Sequence, residues 1–120
     1  MEIKRLEPGA LMSEAVVHNG TIYLSGQVAL DNRGTDVATQ TCEILGRIDA
    51  LLAAAESDRG RLLSATIWLR RTEDFAAMNA EWSAWLDQDP KPVRATVCGV
   101  ELALPDWDVE IMVIAARRSG

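Results

Sequence analysis

The chain has 120 residues, 48% of them apolar and 25% charged, with a formal net charge of −6. That length suits one domain, 1–120. Its basic residues are scattered apart from pairs such as Arg70-Arg71 and Arg117-Arg118, so an acidic chain without a basic stripe is not expected to take nucleic acid as a partner. No apolar run approaches the roughly 20 residues of a membrane helix. The opening MEIKRLEPGAL lacks the apolar stretch of an export signal, so no membrane partner and a cytoplasmic location are expected, with Cys42 and Cys98 as free thiols.

Residues 2–6 (EIKRL) predict a short edge strand ended by Glu7-Pro8-Gly9. Two β-prone runs, Ala15 to His18 and Thr21 to Gly26, flank Asn19-Gly20, the pair that a type I′ hairpin turn favours because both positions need positive φ. Asp31 to Asp36 reads as a loop. From there the period changes: Val37, Thr41, Ile44, Leu45, Ile48, Leu51, Leu52 and Ala55 form one stripe of a helix about five turns long, with Asp36 or Thr35 as its N-cap. Ser57 to Gly60 closes it. Leu63 to Leu69 alternates as a strand. Thr72-Glu73-Asp74 opens a second helix with Phe75, Met78, Trp82 and Leu86 facing inward, stopping before Pro90 and Pro92.

The last quarter, PVRATVCGVELALPDWDVEIMVIAA, reads as two strands, 95–104 and 109–116, joined by a short turn at Pro105-Asp106. The order ββ-α-β-α-ββ implies an α+β sandwich with two helices on one face of a sheet. Both final strands are apolar at nearly every position, so the face that the helices leave open is expected to meet another subunit.

Two charged residues stand inside those apolar runs. Arg94 carries a guanidinium that grips a carboxylate bidentately, or else is a solvated arginine at a strand edge. Glu110, within VEIMVI, either points into a cleft or pairs with a cation; burial raises its pKa and a nearby Arg94 lowers it. The remaining inventory is thin. His18 is the single histidine and is placed in solvent beside the hairpin turn. Lys4 and Lys91 are poorly placed for a Schiff base, and no glycine-rich phosphate loop follows a strand. Ser25-Gly26 offers a hydroxyl and backbone N–H groups, Asn79 lies beside Met78, and Trp68, Trp82, Trp85 and Trp107 read as core or interface aromatics.

Five segments, Tyr23-Leu24-Ser25-Gly26-Gln27, Ile48-Asp49-Ala50-Leu51-Leu52, Asp74-Phe75-Ala76-Ala77-Met78-Asn79, Pro92-Val93-Arg94-Ala95-Thr96-Val97 and Val109-Glu110-Ile111, occur in an order and spacing that resembles the Rid (YjgF) family of enamine/imine deaminases. The resemblance covers nearly the whole chain. It implies a chorismate-mutase-like protomer, a mixed sheet with two helices on one face, that forms a homotrimer with its sites in clefts between subunits. It also implies cofactor-free, metal-free hydrolysis of small 2-imino or 2-enamino acids to 2-oxo acids and ammonia. On that resemblance Arg94, helped by the Thr96 N–H, holds the substrate carboxylate and Glu110 positions or activates water. Ser25, Gly26 and Asn79 line the site.

The chain departs from the family pattern at two places. A family tyrosine near the substrate falls on Met12, and a cysteine common two residues after the arginine is replaced by Thr96, with Cys98 two positions further on. Both changes bear on substrate choice and leave carboxylate recognition intact. The alternative reading is a non-catalytic trimer that binds a small 2-oxo acid as a sensor. A ribonuclease or translation-inhibitor reading, also attached to this family, is disfavoured by the acidic charge and the single histidine.

Overall fold

The computed structural model describes residues 2–118, and these form one mixed six-stranded sheet with two helices packed on one side. Strands β1 (Ile3–Pro8), β2 (Ser13–His18) and β3 (Thr21–Leu24) make an antiparallel meander. Its Asn19-Gly20 turn has φ of +53° and +77°, as the type I′ geometry demands. Helix α1 (Val37–Ala54) follows, with the Asp36 carboxylate accepting the Thr39 N–H as N-cap. Then come β4 (Leu62–Leu69), a 3₁₀ turn at Thr72–Asp74 leading into α2 (Phe75–Trp85), β5 (Val93–Cys98) and β6 (Val109–Ala116). The sheet order is β1-β2-β3-β6-β4-β5, so β1 and β5 are its edges.

The strands alternate, and the alternation sorts the two faces. Ala15, Val17, Ile22, Leu24, Ala65, Ile67, Leu69, Val109, Ile111 and Val113 are buried in one core with the helix-layer residues Ile44, Ile48, Leu52, Met78, Trp82 and Leu86. The opposite face carries Val16, Tyr23, Trp68, Val97, Met112 and Ile114, none of them buried and Tyr23 46% exposed. The sequence expectation is a second buried face; within one chain this face is open.

Four expectations from the sequence need correction. The strand expected over 95–104 is the shorter Val93–Cys98, because Gly99 takes φ +78° and both the Gly99 and Val100 N–H groups turn in to the Leu69 carbonyl. The last two strands are not a hairpin. Strand β5 runs parallel to β4 after the α2 crossover, and β6 pairs antiparallel with the other edge of β4, which therefore lies between them. Phe75 does not face inward; it is 40% exposed, while Met78, Trp82 and Leu86 are buried. The His18 Nε2 atom is buried without a hydrogen-bond partner rather than solvated.

Local polar contacts hold the pieces that frame the site. Gln40, fully buried on α1, donates to the Thr35 carbonyl (2.8 Å) and accepts the Asp108 N–H (2.9 Å). Arg70 donates to the carbonyls of Trp107 (3.0 Å) and Leu104 (2.7 Å). Together they pin the segment 99–108 that enters β6. At the far end of α2, Arg59 donates to the Trp85 carbonyl (2.8 Å) and Lys91 to that of Leu86, so the last carbonyls of that helix are satisfied by side chains.

Candidate functional site

Register places the two charged residues of the final strands far apart within one chain. Arg94 lies beside Ala65 of β4 and Glu110 beside Trp68. Ala65 faces the helices and Trp68, three positions on, faces away, so Arg94 and Glu110 project from opposite sides of the sheet. With β4 between their strands, their Cα atoms are separated by about 10 Å across the sheet and about 10 Å along it. They do not form an ion pair, and the chain contains two distinct constellations.

The first gathers around Arg94, on the helix side of edge strand β5. Its guanidinium carbon sits 5.6 Å from the Trp82 ring centroid and 5.9 Å from that of Phe75. Phe75, Asn79 and Trp82 recur at the four- and three-residue steps of one helix face, so Asn79 lies on the same face of α2 as the two rings. Stacking on aromatic faces contributes about 0.5–2 kcal/mol and leaves the planar edge of the guanidinium, with its N–H donors, available to a carboxylate. Burial alone moves the Arg94 pKa, downward, and no carboxylate contributes to the shift. Two polar atoms, Asn79 Oδ1 and Thr96 Oγ1, are buried without a hydrogen-bond partner. Buried polar atoms of this kind are costly unless something binds them.

The second gathers around Glu110, on the open side. A cleft of about 340 Å³ is lined by Met12, Glu14, Gly26, Gln27, Val28, Leu30, Trp107 and Glu110. Gln27 pairs with Ile111 through N–H···O bonds of 2.8 and 3.1 Å, which draws the end of the hairpin alongside the start of β6. Gly26 consequently abuts the carboxylate: a Cβ at that position would lie 2.1 Å from Glu110 Oε2. Only glycine permits so close an approach. Burial raises the Glu110 pKa above its ordinary 4.5, and no cation or hydrogen-bond donor counters it. Beside it the Ser25 hydroxyl donates to Glu14 Oε1 (2.7 Å) and accepts from Gln27 Nε2 (3.0 Å).

Thus Ser25, Gly26, Met12 and Glu110 come together on one side of the chain, and Arg94, Thr96 and Asn79 on the other. Several of their neighbours are not assigned to a site by the sequence. Glu14 is legible in principle, because the alternation of Ser13–His18 sets it opposite buried Ala15 and Val17. Gln27, 6% exposed, and the cleft walls Val28, Leu30 and Trp107 carry no comparable signal, since their position depends on how 27–30 and 99–108 fold back. Among the described residues there is no group of three or more His, Cys, Asp or Glu able to hold a metal ion, and no helix long and apolar enough to cross a membrane.

Known proteins share this architecture and much of its sequence. The family model described as endoribonuclease L-PSP matches residues 2–117. A RutC family protein of Haemophilus influenzae is 42% identical over 115 residues, covering 96% of this chain and 98% of its own. The chain belongs to the Rid/YjgF family. The RutC family protein YoaB of Escherichia coli is 40% identical over 116 residues, 97% of this chain and 99% of its own length. Among solved structures, a YjgF family member from Neisseria meningitidis superposes with a TM-score of 0.94 at 40% identity, covering 100% of this chain and 98% of its own. The Rid/YjgF resemblance read from the five sequence segments, and the mixed sheet with two helices on one face, both hold.

Proposed function

We propose that this Rid/YjgF chain hydrolyses 2-imino or 2-enamino acids to 2-oxo acids and ammonia, in sites that two copies of the chain build together. The observation that carries this reading is the pairing of complementary halves on opposite sides of the sheet. One is a stacked guanidinium with no carboxylate of its own; the other is a half-buried carboxylate with no cation of its own. A homotrimer that seats the β5 edge of one copy against the open face of the next would bring Arg94, Asn79 and Thr96 to the cleft of Glu110, Ser25, Gly26 and Met12. The incompletely buried apolar side chains Val16, Tyr23, Trp68, Val97 and Ile114 give such an assembly its driving force.

In that site Arg94 clamps the substrate carboxylate and aims the C=N carbon at a water held by Glu110. The water oxygen bonds to that carbon while its proton passes to Glu110. Glu110 returns the proton to nitrogen, and the C–N bond breaks as the carbon–oxygen double bond forms, the hydroxyl proton passing to the leaving nitrogen so that ammonia departs. Positioning is worth up to roughly 7–11 kcal/mol in ideal cases, and general acid–base work roughly 10²–10⁴-fold. Imines hydrolyse readily in water, so this modest apparatus is sufficient for the reaction.

The test is to generate 2-iminopropanoate in situ with a serine dehydratase and follow its loss. Faster loss in the presence of the protein is the expected result. No acceleration with any of several 2-imino acids would sink the enzymatic reading, and binding of 2-oxo acids without acceleration would make the protein a sensor.

A further inference from the structure

The cleft beside Glu110 is larger than the smallest imino acid requires, and its walls are uneven in chemistry. Its volume is about 340 Å³. Some polar atoms at its edge are engaged with one another: Ser25 donates to Glu14 Oε1, and Gln27 Nε2 donates to the Ser25 hydroxyl and carbonyl. The apolar walls have no such partners. Met12 is 57% and Leu30 52% exposed, high values for residues of that size. Trp107 uses its single polar side-chain atom on the Ala29 carbonyl (3.2 Å), so what it turns to the cleft is indole ring, and Arg70 and Gln40 hold its backbone segment in place.

We propose that Met12, Leu30 and Trp107 form a side-chain pocket that makes this protein selective for 2-imino acids with a branched or long aliphatic side chain over 2-iminopropanoate. The inference rests on the functional reading above and specifies its substrate class. A substrate whose carboxylate reaches Arg94 and whose C=N carbon lies at Glu110 directs its side chain along the same cleft, where apolar surface awaits cover. One methylene in an apolar pocket discriminates by roughly 10- to 200-fold. The three extra carbons of 2-imino-4-methylpentanoate are therefore ample for a preference of about 10-fold or more. Met12 supplies a flexible apolar wall.

The experiment uses stable products as probes. Binding of pyruvate and of 4-methyl-2-oxopentanoate is measured by calorimetry on the assembled protein, alongside loss of the two corresponding imines. The branched acid is expected to bind about 10-fold or more tightly. Leu30→Ala is expected to bring the ratio of the two affinities towards one, and the volume-conserving Leu30→Met to restore it. Sizing of each variant separates a pocket from an assembly contact: a variant that alters oligomeric state while leaving the ratio intact would assign Leu30 to the interface and overturn the proposal. Equal affinity, or tighter pyruvate, would overturn it too while leaving the deaminase reading standing. Failure of either acid to bind, with no acceleration of either imine, would remove the functional reading and this inference with it.

Discussion

The Arg94 and Glu110 regions face the same problem, a charged group in apolar surroundings, and meet it differently. Around Arg94 the neighbours are left open: aromatic rings beside the guanidinium, and the Asn79 and Thr96 oxygens buried without partners. Around Glu110 the Ser25 hydroxyl links Glu14 and Gln27 in one hydrogen-bonded chain, while the Glu110 carboxylate has no cation or donor beside it. The first arrangement suits recognition, because several unsatisfied groups wait for one ligand. The second suits proton transfer, because a single titratable group is isolated and its pKa is raised. Within one chain the two groups lie on opposite sides of the sheet.

Variants that treat the halves separately test this division of labour. Arg94→Ala should cost the most, about 2–5 kcal/mol of carboxylate recognition or roughly 30- to 4,000-fold in kcat/KM, and should abolish 2-oxo acid binding in calorimetry. Glu110→Gln should lower kcat roughly 10²-fold or more while that binding persists. If both variants lost binding alike, the division would be wrong.

Mixing the two inactive variants asks more directly whether the halves belong to different copies. If each site draws Arg94 from one copy and Glu110 from another, random reassembly of equal amounts restores about one-quarter of the sites, and activity should return towards that fraction. Activity that stays at the level of the separate variants would mean that both residues serve within one chain, which the sheet register opposes.

Gly26→Ala should have a smaller effect. The added Cβ displaces the end of a flexible side chain rather than backbone, so the fold should survive and kcat fall roughly 10- to 10²-fold as Glu110 is pushed aside. Thermal unfolding alongside the rate measurement separates the two consequences.

The smallest effect concerns pH. Glu110 must be ionised to accept a proton, so kcat/KM should fall as pH drops through its pKa, and burial sets that limb above the ordinary 4.5. A limb at or below 4.5 in the wild-type profile would mean that the charge of Arg94 from the neighbouring copy outweighs burial.

Much of the protomer is legible in its residues. The Asn19-Gly20 hairpin, the Asp36-capped helix and the alternating strand before α2 follow from local rules, since turn geometry, capping and periodicity act between near neighbours. The strand ending at Cys98 reads too long because the apolar run continues past Gly99, and only the positive φ there turns the chain away. Phe75 misleads for a related reason: helical spacing puts it near the inward stripe, but the β5 edge beside it brings a guanidinium rather than core.

By itself the sequence singled out candidates for chemistry: one arginine and one glutamate in apolar strands, a serine and glycine at a hairpin's end, and an asparagine on a helix. Tertiary structure alone decided their grouping. Because β4 inserts between β5 and β6, and side chains alternate along each strand, Arg94 and Glu110 emerge on opposite sides. Sheet order depends on which strands pair across long stretches of chain, and no local pattern in the residues encodes that.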